Sequence, residues 1–334
     1  FDKHRGGLCT GCERYFGHSQ SGCLGDAGTA CASDSTKFGA WDRNLMTEWH
    51  ARYGGRGVMI YRHVERQTTC IYSQLKRCSS SEVAAMIKGV LRHCTDMEIQ
   101  RHYVDSHGQS FVGFAFCHLL GFELAPRLKA IARQKLALSH AGMRAQLPNL
   151  LPILSGVIDW DEIERQYDEM VKYAAAMQTG TADPEAILRR FARTDVMHPT
   201  YKALAELARA IKTIFLCRYL RSEAFRREIN EGLNVVENWN SANGFVFFGK
   251  GGEIATNRVT DQETSAHALH LLQSSLVYVN TRMVQSVLRQ PRLQNSLSEE
   301  DHRGLTPLIY AHINPYGRFE VDLNKRIDFD RAVA

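Results

Sequence analysis

The hydrophobic pattern of the chain changes from strand-like to helix-like near residue 127, and this order restricts it to an α/β architecture. Before that point, short runs rich in β-branched and aromatic residues, such as 57–61 and 68–72, are separated by charged turns. After it, amphipathic helices are predicted to begin at Asp159 and Asp183, followed by a strongly apolar helix over 201–220. We therefore expect a sheet-containing first part and a helical second part.

Strands and helices alternate within the first part. Ser80 or Ser81 is predicted to cap a helix, residues 99–104 to form a strand, 111–120 an apolar helix, and 122–126 a short strand. Three strands, a helix, a strand with an acidic end, a helix and a strand is the succession of a ribonuclease-H-like mixed sheet. In such a sheet we expect acidic side chains to converge at one edge.

Three acidic residues stand out because of their surroundings. Asp34 lies in a small, polar stretch at the start of the β-rich part, and Asp105 directly follows the predicted strand 99–104. Glu237 lies in a helical stretch whose Glu-bearing face is otherwise Asn and Ser. Two strand-borne aspartates and a helix-borne glutamate provide the hard oxygen ligands that Mg²⁺ prefers. We expect Asp34, Asp105 and Glu237 to be catalytic and to hold two Mg²⁺ or Mn²⁺ ions for phosphodiester chemistry.

The long segment between Asp105 and Glu237 indicates a helical insertion into the sheet-containing core. The predicted organisation is α/β, a ribonuclease-H-like mixed sheet with a large all-helical insertion before the helix of the catalytic Glu. A capping box at 260–263 is predicted to begin a further helix that runs toward Pro291. The expected parts are an irregular segment 1–30, a first core part 31–127, the insertion 128–228, and a Glu-bearing C-terminal part 229–334.

The bulk properties are those of an ordinary globular protein. Hydrophobic residues make up 44% and charged residues 23% of the 334 residues, and no run is long and apolar enough for a membrane span. The net charge of +5 is modest, but arginines and lysines cluster near the acidic positions. Such clusters could bind a polyanion that is brought to metal ions, and they are explained equally well as solvated faces of helices. The two clusters are Arg127, Lys129, Arg133 and Lys135, and Arg218, Arg221, Arg226 and Arg227.

The nine cysteines favour reduced thiols over a zinc site. Cys9 and Cys12 form a CxxC pair, but Cys23 and Cys31 lack the tight spacing of a second pair. The four are therefore expected to be dispensable for activity. The other five are scattered through apolar elements, as buried thiols usually are: Cys70, Cys78, Cys94, Cys117 and Cys217. A reducing cytosol is the simpler assignment.

Several positions near these elements allow two interpretations. Arg56, in Gly-Gly-Arg-Gly, either approaches a phosphate or belongs to a tight hairpin turn. His107 either contacts the scissile phosphate or caps the following helix. Trp239 and Asn240 either touch DNA near the metal ions or, for the Trp above all, pack in the core. His270, with a second His three residues earlier, is half of a metal site or, as we favour, part of a surface helix.

Several segments in one order resemble the C-terminal catalytic part of transposases of the Tn-three (Tn3) family, the replicative bacterial transposons. The similarity covers about residues 30 to 320. The segments that carry it are Tyr53-Gly54-Gly55-Arg56-Gly57-Val58, Tyr103-Val104-Asp105-Ser106-His107-Gly108, His118-Leu119-Leu120-Gly121-Phe122, Ala125-Pro126-Arg127-Leu128 and Ala311-His312-Ile313-Asn314. Segments around 204–213 and 251–254 resemble those that flank the catalytic Glu of the family.

The resemblance implies a DDE-type DNA transposase with Asp34, Asp105 and Glu237 as its catalytic acids. It further implies metal-dependent hydrolysis of the 3′ phosphodiester at each transposon end and joining of the 3′-OH to target DNA. The implied partners are transposon-end DNA, target DNA and a second copy of the full-length protein, with no membrane. The implied location is the bacterial cytoplasm, associated with the nucleoid.

Departures from the family pattern keep other functions open. Val235-Val236 precede Glu237 where many members have Lys-Gly, and residues 1–28 match no family segment. The chain is therefore also compatible with a truncated or inactive copy that only binds DNA or intact transposase. Another ribonuclease-H-like nuclease is the third possibility, although such enzymes usually lack so long an insertion.

Overall fold

A computed structural model describes residues 30–40, 45–50, 52–66, 68–93, 95–106, 110–191, 198–247, 252–294, 296–318 and 320–326. The expectation of an irregular segment over 1–30 therefore lies outside the described residues except at Ala30, which is the first residue of a strand. Cys9, Cys12, Cys23, Cys94 and His107 also lie outside them.

A seven-stranded mixed sheet forms the centre of the molecule. Its main order is β2-β3-β1-β5-β6, with β4 paired to β3 and β9 paired to β1. β1 is antiparallel to β3 and parallel to β5, and β5 is parallel to β6. The strands are β1 (Ala30–Ala40), β2 (Glu48–Trp49), β3 (Arg56–Glu65), β4 (Cys70–Lys76), β5 (Arg101–Val104), β6 (Glu123–Pro126) and β9 (Glu253–Ile254). The predicted α/β class is confirmed.

Helices surround this sheet and dominate the second half of the described chain. Two of them, α6 and α7, follow each other directly, because Ser222 ends the first and caps the second. The helices are α1 (Glu82–Arg92), α2 (Phe111–Leu119), α3 (Met143–Gln146), α4 (Trp160–Thr179), α5 (Pro184–Phe191), α6 (Pro199–Arg221), α7 (Glu223–Val246), α8 (Val259–Leu288), α9 (Pro291–Gln294) and α10 (Glu299–Gly304).

The predicted helix starts are mostly those of the structure. The hydroxyl of Ser81 accepts a hydrogen bond from the Ala84 N–H at the start of α1, and Asp159 caps α4 through the Glu162 N–H. The capping box predicted at 260–263 is wrong. The N-cap of α8 is Arg258, which makes no side-chain capping bond.

The segment predicted to be an all-helical insertion contains a second, small sheet. The strands β7 (Leu136–Leu138) and β8 (Leu154–Val157) pair in parallel within it, so the all-helical description is wrong. Its longest helix, α6, packs between α2 and α4. Since α7 begins at Glu223, the expected boundary between residues 228 and 229 falls inside a helix.

The two faces of the central sheet have different covers. Alternate side chains of a strand point to opposite faces. Ser35 of β1 donates a hydrogen bond to Glu82 of α1, which places α1 on one face. Asp34 accepts one from Asn240, which places α7 on the other face. The α8 helix packs beside α7, against β4.

The main hydrophobic core lies where the sheet meets these helices. Its largest fully buried side chains include Tyr103 of β5, Phe114 and Phe116 of α2, and Trp239 of α7. A smaller cluster joins Phe38, Val58 and Ile60 to Leu269 of α8. No helix among the described residues is long and apolar enough to cross a membrane.

Candidate active site

Asp34 and Asp105 lie side by side on neighbouring strands. β1 and β5 pair in parallel with Ser33 opposite Val104, so the next residue of each strand is one of the two acids. The parallel register thus brings together two residues that are far apart in the sequence. The sequence predicts both positions, and the structure places them at the same edge of the sheet.

Glu237 reaches this edge because α7 lies very close to β5. Gly232 of α7 faces the Tyr103 ring, and a Cβ atom at this glycine would lie 2.4 Å from Tyr103 Cδ2. Glu228 of α7 accepts hydrogen bonds from Tyr103 Oη and, at 2.5 Å, from an Arg101 guanidinium nitrogen. These contacts fix the position of the helix over the strand that precedes Asp105.

Trp239 fixes the same helix on its other side. Its ring is fully buried, and its Nε1–H donates a hydrogen bond of 2.6 Å to the Thr68 carbonyl. The packed interpretation of Trp239 is therefore confirmed. The helix is held both before and after Glu237, so the carboxylate is positioned by well-packed neighbours.

Two side chains join the three acids into one group. Asn240, three residues after Glu237 on α7, donates from Nδ2 to Asp34 Oδ2 at 3.0 Å. Arg127 donates from Nε to Asp105 Oδ1 at 3.1 Å, and its Nη2 lies 3.3 Å from Glu237 Oε1. Asp34, Asp105 and Glu237 thus surround one region at the edge of the sheet.

The donor set suits a hard divalent cation, but the carboxylates do not enclose a single point. Among the described residues, no three His, Cys, Asp or Glu side chains lie close enough to share one metal ion. The Arg127 guanidinium lies between Asp105 and Glu237 instead. Carboxylate oxygens are the ligands that Mg²⁺ prefers, so the chemistry of the residues fits the expected ion.

The electrostatics of Asp34 show an excess of negative charge at this edge. Burial raises the pKa of the Asp34 carboxyl to about 6. A hydrogen bond from the Ser35 backbone opposes this rise, and three nearby carboxylates add to it, those of Glu82, Asp105 and Glu237. Glu82 is a fourth acidic group that the sequence did not single out. A divalent cation would relieve this repulsion.

An open cleft of about 500 Å³ lies against the site. Asp34 and Glu237 line it together with Lys37 of β1, Tyr53, and Asn240 and Ser241 of α7. Lys37 donates a hydrogen bond to the Gly54 carbonyl, which ties β1 to the turn that carries Tyr53. The cleft therefore presents acids beside a lysine, an aromatic ring and amide groups.

Comparison with known proteins places this arrangement in a family. The model of the family described as the Tn3 transposase DDE domain matches residues 16–319. The chain belongs to this family. The match contains all three acids and nearly all of the described residues. Because it begins at residue 16, the expectation that none of residues 1–28 matches the family is wrong for 16–28.

Individual relatives agree with the family match. The chain is 29% identical over 304 residues to the transposase for transposon Tn1546 from Enterococcus faecium. The aligned region covers 91% of the chain and 31% of that protein. It is 28% identical over 319 residues to the transposase for transposon Tn501 from Pseudomonas aeruginosa, with 94% and 32% covered. It is 30% identical over 302 residues to the transposase for transposon Tn2501 from Escherichia coli, and this alignment covers 86% of the chain and 30% of that protein. The chain spans about a third of the length of these curated relatives.

The remaining predicted positions of this Tn3-family chain have structural roles. Arg56 pairs with Trp49 in the β2–β3 hairpin, whose turn contains Gly54 and Gly55 at positive φ, as expected for a tight turn. His270 is half-buried and contacts the Cys70 carbonyl at 3.1 Å, on the inner side of a helix whose next residues, Leu271 and Leu272, are exposed, in agreement with a surface helix. Burial lowers its pKa to about 4.

The residues of the basic clusters and the cysteines differ among themselves in pairing and burial. Arg218 pairs with Glu123 and Arg227 with Glu223, so the second cluster largely stabilises helices and their contacts. Arg133, from the first cluster, is exposed. Of the cysteines predicted to be buried, Cys70 and Cys117 are, but Cys78 is half-buried and Cys217 is exposed.

Proposed function

We propose that this chain is the catalytic part of a DNA transposase, with Asp34, Asp105 and Glu237 as its catalytic and metal-binding residues. The observation that carries the proposal is the grouping of these acids at one sheet edge, two on neighbouring parallel strands and one on the helix above them. The family match supports the same assignment.

The sheet order supports the finer description of the fold. Three antiparallel strands, β4, β3 and β1, continue into the parallel strands β5 and β6. We infer a ribonuclease-H-like core on this basis, with residues 128–228 as its insertion. The acids then lie where this class of fold places them.

The chemistry requires two divalent cations, Mg²⁺ or Mn²⁺, held by the carboxylates. Paired ions about 4 Å apart stabilise the attacking and the leaving oxygen of a phosphodiester. Asp34 and Asp105 lie close enough on paired strands to serve both ions, and Glu237 closes the site from above. Asn240 orients the Asp34 carboxylate through its hydrogen bond.

The proposed reactions are hydrolysis of the 3′ phosphodiester at each transposon end and joining of the 3′-OH to target DNA. Transposon-end and target DNA are the proposed partners, with a dimer of the complete protein in the bacterial cytoplasm and nucleoid. We propose the open cleft beside Lys37 and Tyr53 as the place where the DNA strand approaches the acids.

One observation favours the alternative of an inactive copy. Within the described part of the chain, the carboxylates do not yet enclose a common ion position. The two functions make opposite predictions for metal-dependent chemistry. A truncated binding protein would bind DNA with the same affinity whether or not Asp105 is present and would leave the strands intact.

Replacing Asp105 by Asn tests the proposal. Asn keeps the shape of the side chain but removes the charge that attracts the ion, so Mg²⁺-dependent nicking and strand joining should fall by at least about a thousandfold, the scale of losing a main electrostatic element of a site. An intact duplex measures nicking, and a duplex with a pre-cut 3′-OH end measures strand joining.

The matched control is Asp96→Asn, because Asp96 is an exposed aspartate outside the site. This variant should nick and join at the parent rate, and both variants should keep the parent circular dichroism spectrum. Equal activity of Asp105→Asn and the parent would remove Asp105 from the site. No activity in the parent would favour the inactive copy.

A further inference from the structure

Arg127 lies between two of the carboxylates that are proposed to bind metal ions. Its guanidinium lies 3.0 Å from Asp105 Oδ1 and 3.3 Å from Glu237 Oε1. We propose that Arg127 is a phosphate-binding residue of the active site. In the metal-free protein it serves as the counter-ion of Asp105 and Glu237, and with metal bound it turns to the scissile phosphate. This inference rests on the proposed function of the same site.

The backbone of Arg127 cannot leave the site. Arg127 directly follows β6, in which the buried Pro126 pairs with the buried Val104. The Arg127 N–H donates to the Val104 carbonyl at 2.9 Å. The residue is therefore held beside Asp105 by the sheet, and only its side chain can change position.

The present contacts of Arg127 use the carboxylate oxygens that an ion between Asp105 and Glu237 would also use, Asp105 Oδ1 at 3.0 Å and Glu237 Oε1 at 3.3 Å. An ion bound to these oxygens would place its positive charge next to the guanidinium. Repulsion between the two cations would then favour a side-chain position directed toward another anion. In phosphodiester chemistry that anion is the phosphate, whose oxygens match the planar, forked donors of arginine.

A second arginine shows what a purely structural pair looks like in this molecule. Arg101 also bridges two carboxylates, at 2.8 Å to Glu123 and 2.5 Å to Glu228. Its side chain is 24% exposed, and its guanidinium lies over the Phe225 ring at 5.4 Å. The Arg127 contacts are longer and its side chain is 39% exposed. Arg127 is thus the bridging arginine that has room to move.

The location of the contacts also favours a role in the reaction. Both carboxylates that Arg127 bridges are proposed metal ligands, whereas those of Arg101 lie behind the site, between β5, β6 and α7. Glu237 is 48% exposed, so its contact with Arg127 breaks without uncovering a buried charge. Glu237 lines the cleft and contacts Arg127, so a phosphate bound beside Glu237 would lie next to the guanidinium.

The first test measures ion binding without DNA. Mn²⁺ binding to the parent, Arg127→Gln and Arg127→Lys is followed by isothermal titration calorimetry. If Arg127 is the resident counter-ion, Arg127→Gln binds Mn²⁺ several-fold more tightly, because no cation has to be displaced, and Arg127→Lys stays near the parent. Weaker Mn²⁺ binding by Arg127→Gln would show that the arginine only supports the carboxylates, and it would overturn the inference.

The second test measures the contact with phosphate without cleavage. Binding to a 40-base-pair duplex of arbitrary sequence is measured over a range of salt concentrations, with Ca²⁺ present or with EDTA. Each phosphate contact contributes about 0.9 to the slope of log K against log salt. The slope of Arg127→Gln should be smaller than that of the parent by about this amount in Ca²⁺ and equal to it in EDTA.

Arg165→Gln is the matched control, since it removes the same charge from an exposed position of α4. It should not show a slope difference that appears with Ca²⁺ alone. An equal loss of slope in Ca²⁺ and EDTA would make Arg127 an ordinary residue of a basic surface, and no loss in Ca²⁺ would exclude the phosphate contact. Neither test uses nicking, so an inactive parent would refute the proposed function without deciding the role of Arg127.

Discussion

The two faces of β1 satisfy their polar groups to very different degrees. On the face toward α1, Ser33 contacts Tyr61 Oη and His102 Nε2 at 2.7 Å each, and Cys31 Sγ lies 2.9 Å from His102 Nδ1. Ser35 donates to Glu82 on the same face. All of these groups except Glu82 are buried, and each has a partner in the network. On this face, His63 Nδ1, across from Ser33, is a buried atom that makes no hydrogen bond to a described residue.

On the face toward α7 and α8, some buried polar groups have no hydrogen-bond partner among the described residues. Arg62 lies directly across from Asp34 in the β1–β3 register and is fully buried, yet none of its three guanidinium nitrogens makes a hydrogen bond to a described residue. The same is true, within the described part of the chain, of buried oxygens of Thr36, Asn240 and Gln273. Burial lowers the pKa of Arg62 to about 10, so it stays charged at neutral pH.

One face of β1 therefore contributes mainly to stability, and the other faces the proposed functional site. A satisfied network fixes the register between β1 and β5, and so the relative position of the two aspartates. On the opposite face, buried charged and polar groups that lack hydrogen bonds reduce the stability of the protein, and they lie next to the proposed ions and DNA. Substitutions on the first face should therefore destabilise the protein, whereas neutral substitutions on the second should stabilise it.

The largest effect is expected for His102→Leu. Leucine fills much of the volume but leaves Ser33 and Cys31 with fewer hydrogen bonds in the core. The free energy of unfolding should fall by about 3 kcal/mol, measured by urea denaturation. His140→Leu, at an exposed histidine, should change it by less than about 0.5 kcal/mol. Equal values for the two variants would mean that the network does not stabilise the strand pair.

Arg62→Met should have the opposite sign. Methionine keeps the length of the side chain and removes a buried charge with no partner, so the free energy of unfolding should rise by about 2 kcal/mol. Arg165→Met, on the exposed surface of α4, is the control and should stay within about 0.5 kcal/mol of the parent. A destabilised Arg62→Met would reveal an interaction of Arg62 that stabilises the folded state.

Asp34→Asn should stabilise the metal-free protein in a pH-dependent way. The folded pKa of Asp34, about 6, is above the value near 3.9 of an unfolded chain. Folding therefore favours the protonated carboxyl of Asp34. With respect to this group, the parent is most stable at low pH, where the carboxyl is protonated, and its free energy of unfolding falls as the pH rises and the carboxyl ionises. A pKa difference of about 2 corresponds to about 3 kcal/mol, so the variant should gain up to about this amount at pH 8 and less than about 1 kcal/mol at pH 4.

Thermal unfolding in EDTA at both pH values measures this difference, with Asp96→Asn as the exposed control. Saturating Mg²⁺ should then stabilise the parent more than Asp34→Asn, because only the parent keeps the full ligand set. A gain of equal size at pH 4 and pH 8 would show that the carboxylate charge is not the cause.

The smallest effect is expected for Cys31→Ser. Serine keeps a donor for His102 and is close in size, so the free energy of unfolding should change by less than about 1 kcal/mol and nicking should continue. This variant refines the prediction that the four N-terminal cysteines are dispensable, since Cys31 is a buried residue of β1. A loss of nicking on replacing all four by Ser, with zinc in the parent, would contradict it.

Local signals account for most of what the sequence predicts correctly. Ser81 and Asp159 carry their capping preference in a few residues, and the strand before Asp105 has its own apolar pattern. The short strands β7 and β8 were missed, because each depends on a partner outside its own segment. At 260–263 the capping pattern lies inside a helix that begins earlier.

The same distinction applies to the site. The element that carries each of Asp34, Asp105 and Glu237 is visible in the local pattern. The bridging position of Arg127 is not, because it depends on the register of β5 with β6 and on the distance between α7 and the sheet. The sequence suggests a DNA contact for Asn240 and does not reveal its hydrogen bond to Asp34, which depends on how α7 packs over β1. The spacing of three residues does place Asn240 and Glu237 on one helix face.

The single residue Ser222 connects α6 directly to α7, the helix that carries Glu237. Ser222 ends one helix and caps the next, so the two helices meet without a flexible connection. Glu237 lies about 22 Å along α7 from this joint at 1.5 Å per residue. A tilt of about 10° around the joint displaces its carboxylate by about 4 Å, the spacing of paired catalytic ions. The contacts of α7 with Tyr103 and with the Thr68 carbonyl oppose such a tilt, so they keep Glu237 at a constant distance from the two aspartates.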